Sequence, residues 1–261
     1  MRYTSAYYLF KQTWIATAAV LLSFVARKTA GLNVRVPELY LGIGIAVGGV
    51  YHLPTLIRSF TLRQLYFLSI SIGILLMLLL LQIPIPAKLV TLLLCSYLLC
   101  MGYFIPCISW KRGIVALREI PYLKMGIIIW AWWAGTVLLP VYYGNAAVDA
   151  DVLESISYNR MLMIFISALL CDMGDMQEDA KQGLKTIALA LGKPMSAGIV
   201  MLASMLWAAY NLNHKDIWVI LTTTIFALLV SIYALRSVQS MKVRFIADGI
   251  LVLYGLLHFI P

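Results

Sequence analysis

The stretch MLMIFISALLCDMGDMQEDAKQGLKT, residues 161–186, opens with ten residues that are apolar but for Ser167 and then places Asp172, Asp175, Glu178 and Asp179 within eight positions. With the residues just upstream, the apolar part forms a run over about 158–175, near the roughly 17–25 residues that carry a helix across a bilayer. The run does not alternate between apolar and polar residues, and neither does GILLMLLLLQI at 73–83. A lipid-facing strand would alternate, so the reading is membrane helix rather than barrel.

The rest of the chain has the same character. Of 261 residues, 62% are hydrophobic and 12% charged, and mean hydropathy is +0.91, which no soluble globule can bury. No polar stretch is long enough for a linker or a separate domain, so residues 1–261 read as a single domain. Apolar runs over about 6–26, 36–56, 65–83, 89–110, 125–143, 158–175, 187–211, 217–235 and 245–260 predict nine transmembrane helices with the termini on opposite faces. The first run is long enough to remain in the membrane, and Lys11 interrupts it, unlike a cleavable signal.

Lysine and arginine collect on cytoplasmic loops. In the nine-span arrangement Arg27, Lys28, Arg35, Lys88, Arg160 and Lys215 fall on one face and the other fourteen of the 20 Lys and Arg on the opposite face. The expectation is a multi-pass protein of the plasma (inner) membrane, with the N-terminus cytoplasmic and the C-terminus outside. Arg27, Lys28 and Arg35, close together on the outer side, run against it. The net charge of +9 is spread among short loops rather than set on an aromatic-bearing module, so it marks topology and no nucleic-acid partner. Cys95, Cys100, Cys107 and Cys171 show no CxxC spacing and read as small buried hydrophobes.

On one helix, Asp172, Asp175 and Asp179 stand at i, i+3 and i+7 and share a face about 60° wide. Two readings are open. The acids can be solvated charge at an interfacial helix end, with Lys181 and Lys185 as helical neighbours. Alternatively, hard carboxylate oxygens held this close form a Mg²⁺ site that a substrate phosphate completes.

DMGDMQEDAKQGLKTIALALGK, residues 172–193, resembles the second aspartate-rich motif of the UbiA family of intramembrane prenyltransferases. That motif is a DxxDxxxD followed by a Gly, a Thr and a Leu-Gly pair, here Gly183, Thr186, Leu191 and Gly192. LREIPYLKMGIIIWAWW at 117–133 is similar to the family's basic loop before its fifth span, and FIADGILVLYGLL at 245–257 to its last span. The distinctive match covers about 25 residues, the architecture most of the chain.

The resemblance implies an all-α UbiA-like bundle around a lipid-open central cavity. It implies Mg-dependent transfer of an isoprenyl group from an isoprenyl diphosphate to a lipophilic acceptor within membrane lipid. Asp172, Asp175 and Asp179 would serve the metal, and Lys124 and Lys185, with Arg118 and Lys181, the diphosphate. Lys124 is the most telling cation, because an ammonium entering an apolar span needs an anion or a snorkelling path.

One departure is large. The family's first motif, NxxxDxxxD at the end of the second span, falls where this chain reads GGVYHLPTLIRSFTLRQLYF, residues 48–67, and no acid occurs between Leu39 and Arg118. Arg58 and Arg63 stand there with His52. Arginines can grip a diphosphate without a bridging ion, or simply anchor the loop on the cytoplasmic side. The loss of the motif also fits a relative that binds lipid or a partner without catalysis. A transporter using the acids as an ion site fits less well, since such sites lie near the bilayer midplane.

Asp248, an acid in the last span, is a further site candidate or a partner for Arg244 one turn earlier. Asp149, Asp151 and Glu154 read as solvated loop charge. Trp130, Trp132 and Trp133 would line a prenyl pocket or pack between helices.

Overall fold

The structure, a computed structural model, describes residues 5–57, 61, 87–110, 113–143, 147–212, 217–237 and 240–259. The predicted span at 65–83 lies outside the described residues. The other apolar runs form eight helices: α1 (Ser5–Thr29), α2 (Pro37–Ile57), α3 (Ala87–Phe104), α4 (Leu123–Tyr142), α5 (Ala150–Lys181), α6 (Ile187–Asn211), α7 (Ile217–Arg236) and α8 (Ser240–Leu257). Among the described residues, α4, α5, α6 and α7 are long and apolar enough to cross a bilayer. This is a helical, membrane-embedded protein.

Helix α7 shows why water does not suit this surface. Trp218, Leu221, Ile225, Leu229 and Ile232, spaced three and four apart, are exposed, whereas Thr223 and Ser231 are buried beside Ala227 and Ala234. Large apolar side chains outside and small or hydroxylated ones inside is the arrangement of a helix whose surroundings are hydrocarbon.

Three ends differ from the expected ones. The fourth run stops at Phe104 instead of reaching 110, because Pro106 has no N–H to donate and biases Ile105 away from helix. The chain then makes a small hairpin, β1 (Ile108–Trp110) antiparallel to β2 (Gly113–Val115), with Ile108 opposite Val115. Helix α5, at 32 residues, is far longer than its apolar run. It begins at Asp149, whose side chain caps the Asp151 N–H at 3.0 Å. It runs on through the acids to Lys181.

Helix α5 packs on α4, α6, α7 and α8; α1 packs on α2, α8 and the π-helical stretch Ala134–Leu138 within α4; and α6 and α8 both pack on α7. Leu22, Val25, Met163, Leu169, Leu170, Met173, Trp207, Ile250 and Leu251 fill the middle. Helices α1 and α8 come close together at Gly255, where an added Cβ would stand 2.5 Å from the Leu21 Cβ. At Gly249, two turns earlier, the nearest atoms are 3.8 Å away, an ordinary contact. Gly255→Ala is therefore expected to cost about 1–3 kcal/mol of overpacking, whereas Gly249→Ala should be neutral or stabilising because alanine is the better helix former. Thermal unfolding of the two variants in detergent separates them; equal melting temperatures would contradict the close approach.

Candidate functional site

The residues of the aspartate-rich motif and the basic loop meet at one end of the bundle. Helix α5 ends in a turn whose hydrogen bonds dictate the glycine: Leu184 N–H donates to the Asp179 carbonyl at 2.9 Å and Gly183 N–H to the Ala180 carbonyl at 3.1 Å, with Gly183 at φ +69°. This left-handed stop favours glycine. Thr186 then caps α6, its hydroxyl accepting from Leu189 N–H at 3.3 Å. Gly192, at φ +77°, breaks the first turn of α6 from the rest. The Gly, Thr and Leu-Gly positions of the motif thus fold the chain back past its own acids.

The same turn fixes the start of α4. Tyr122 N–H donates to the Lys185 carbonyl at 3.0 Å, and Tyr122 itself sits at φ +63°. Leu117, in the short 3-10 turn Leu117–Glu119, is buried against Gly102 of α3. The loop is held at both ends, so Lys124, in the first turn of α4, is aimed at α5.

Lys124 Nζ lies 2.7 Å from Asp172 Oδ1 and 3.1 Å from Asp179 Oδ2. The two acids, i and i+7 on α5, share one ammonium. Arg244, near the start of α8, pairs through Nε with Asp175 Oδ1, and its Nη2 lies 3.1 Å from Glu178 Oε2. Asp172, Asp175 and Asp179 are only 3%, 8% and 5% exposed. Carboxylates this buried require charged or hydrogen-bonding partners, and the pairing supplies them. They are therefore not solvated charge at a helix end. Lys124 meets an anionic partner instead of snorkelling.

Around the four-acid, two-cation cluster stand further groups. The Tyr103 phenol on α3 lies in the field of Lys124, Asp172, Arg118 and Asp179 together. Arg118 is partly buried, and among the described residues its Nε has no hydrogen-bond partner. Lys181 and Lys185 are exposed at the α5–α6 turn. Asp248 lies one turn beyond Arg244, and the Cys171 thiol is 3.8 Å from its Oδ1. Arg58, Arg63 and the side chain of His52 lie outside the described residues.

Sequence reasoning missed Arg244, Glu178 and Tyr103 as members of the cluster. Asp175 and Glu178, three apart on α5, were the available signal for a shared cation. Two of the tryptophans hydrogen-bond between helices: Trp130 Nε1 donates to Ser96 at 3.1 Å and Trp133 Nε1 to Ser157 at 2.9 Å.

The three aspartates offer the hard oxygens that Mg²⁺ takes, and four carboxylates against two cations leave two negative charges, which one divalent ion would balance. The donor set fits in kind. Its oxygens are turned to Lys124 and Arg244, and among the described residues no three of them converge as a preformed cage.

Fold and site together define a helical membrane protein with a buried ionic cluster at one end of its bundle. Compared with family models, curated proteins and solved structures, the chain matches none.

Proposed function

We propose that the protein is a UbiA-like prenyltransferase, taking an isoprenyl diphosphate and a lipophilic acceptor at the end of the bundle where Asp172, Asp175 and Asp179 meet Lys124 and Arg244. The observation that carries this reading is the pairing of three buried aspartates with Lys124 and Arg244. Lys124 and Arg244 hold the carboxylates, and both can turn to phosphate oxygens, freeing the carboxylates as metal ligands. Arg118, whose buried Nε has no partner among the described residues, supplies another donor for the diphosphate. Lys181 and Lys185, exposed beside them, draw the anion in. Mg²⁺, when bound, would stabilise the charge that grows on the leaving diphosphate. The apolar helices house the prenyl tail and keep water from the allylic cation until the acceptor attacks.

In this reading the chain has nine spans in the plasma membrane, a lipid-open cavity, and its acid cluster, N-terminus and basic loops on the cytoplasmic side. Support comes from the cations at the other end. Arg27 donates to the carbonyls of Asn33 and Pro140, each at 2.6 Å, and Lys28 to that of His258 at 2.7 Å, so both have structural work that explains their place outside. Arg58 and Arg63 stand in for the missing first motif.

The test incubates the detergent-purified full chain with a panel of isoprenyl diphosphates, with and without Mg²⁺, and measures binding and diphosphate release. Mg²⁺-dependent binding with release is expected. Binding without release would identify a non-catalytic lipid binder, the reading that the missing first motif favours, and no binding at all would refute both. Solute or ion flux in proteoliposomes would bring back a transporter.

A further inference from the structure

The opposite end of the bundle holds a second buried charge that the acid cluster does not explain. Arg160, in the first third of α5, is 2% exposed and lies about 18 Å along the helix from Asp172 at 1.5 Å per residue. Its Nη2 donates to the Leu22 carbonyl at 3.0 Å and its guanidinium sits 5.5 Å from the Tyr254 ring centroid. Among the described residues, Nε and Nη1 have no hydrogen-bond partner, and no carboxylate forms an ion pair with the guanidinium.

Nearby Arg27 shows what a structural arginine looks like in this fold. It is equally buried, yet its Nε and Nη1 donate to the carbonyls of Asn33, Pro140 and Tyr143. Arg160 has no such set, although a buried guanidinium left without an anion is costly.

Arg160 also lines a cavity of about 100 Å³ together with Ser155, Asn159, Asn211 and Val219. One water needs about 10–15 Å³ of such space, so a group of several heavy atoms fits. The neighbouring amides do not serve the arginine. Trp207 Nε1 donates to Asn159 Oδ1 at 3.1 Å, Asn159 Nδ2 to Asn211 Oδ1, and Asn211 Nδ2 to the Trp207 carbonyl at 2.7 Å. This closed ring satisfies itself and walls the cavity, leaving the guanidinium as its main unmet donor.

We infer that this cavity is a binding site for an oxyanion, a carboxylate or phosphate group held by Arg160 Nε and Nη1, separate from the acid cluster. The group is either a small free anion or the headgroup of an anionic lipid. Both present the same oxygens to the guanidinium, and the Ser155 hydroxyl on the lining offers a further donor.

Thermal unfolding of the full chain tests this in two arms. In chloride-free detergent buffer the probes are acetate and inorganic phosphate. In nanodiscs of phosphatidylcholine the probe is added phosphatidylglycerol. At about a hundredfold above half-saturation, a ligand of the folded state should raise the melting temperature by about 5 °C or more. That rise should vanish in Arg160→Gln and in Val219→Phe, which fills the cavity and leaves the arginine in place. A rise in the first arm identifies a free anion, and a rise in the second alone a lipid headgroup. If the parent gains nothing in either arm, or if the gain persists in Val219→Phe, the site does not exist. The second variant keeps the test decisive should Arg160→Gln fail to fold.

Discussion

Lys124→Met is expected to lower the melting temperature of the detergent-solubilised protein by about 10 °C. The lysine is the shared partner of Asp172 and Asp179, at 2.7 and 3.1 Å, and the three side chains are nearly shut off from solvent. Removing one member of such a buried ionic group costs about 3–5 kcal/mol, most of it the penalty on the charges left behind. For a chain of this size each kcal/mol corresponds to about 2–4 °C. The origin of the loss can be separated from its size. If stranded carboxylates are responsible, Lys124→Met combined with Asp172→Asn and Asp179→Asn should recover most of the stability, because amides need no counter-charge. If the triple variant melts as low as Lys124→Met alone, the lysine stem's packing is what was lost, and the ionic account of the cluster fails.

How far the sequence reveals this arrangement depends on whether a feature is local. Long apolar runs report their own burial, so most helices fall close to their predicted limits and α5 contains its run. Helix ends are set by single residues that hydropathy does not register: Pro106 ends the fourth run early, and Asp149 begins α5 eight residues before the apolar stretch. The shared face of Asp172, Asp175 and Asp179 comes from helical spacing alone. Partners across helices do not. Arg244 stands one turn from Asp248 on its own helix, and a local rule joins them, but packing of α8 on α5 brings Asp175 and Glu178 within its reach. Arg160 reads as a loop charge from topology and is instead among the most buried side chains, because α5 starts earlier than its apolar run and carries position 160 inside the bundle.

Asp179→Asn should separate stability from ligand binding. Four carboxylates share two cations, so removing one acid relieves repulsion, and Lys124 keeps Asp172 at the shorter distance. The melting temperature of Asp179→Asn is therefore expected to stay within about 2 °C of the parent, or to rise, the magnitude of a change below 1 kcal/mol. Mg²⁺-dependent binding of an isoprenyl diphosphate should behave in the opposite way. An amide offers a metal one neutral oxygen where the carboxylate offered charge, and the loss of one charged contact is worth about 1.5–3 kcal/mol, or tenfold and more in affinity. Asp172→Asn should weaken binding as much but also cost stability, since it removes the closer partner of Lys124. The sign of each effect is what matters. Acids retained only to neutralise Lys124 and Arg244 would leave Mg²⁺-dependent binding unchanged in both variants. Acids retained as metal ligands give Asp179→Asn protein that is at least as stable as the parent and binds the diphosphate poorly however much Mg²⁺ is added. Measuring both quantities on the same Asp179→Asn preparation decides between a structural cluster and a working site.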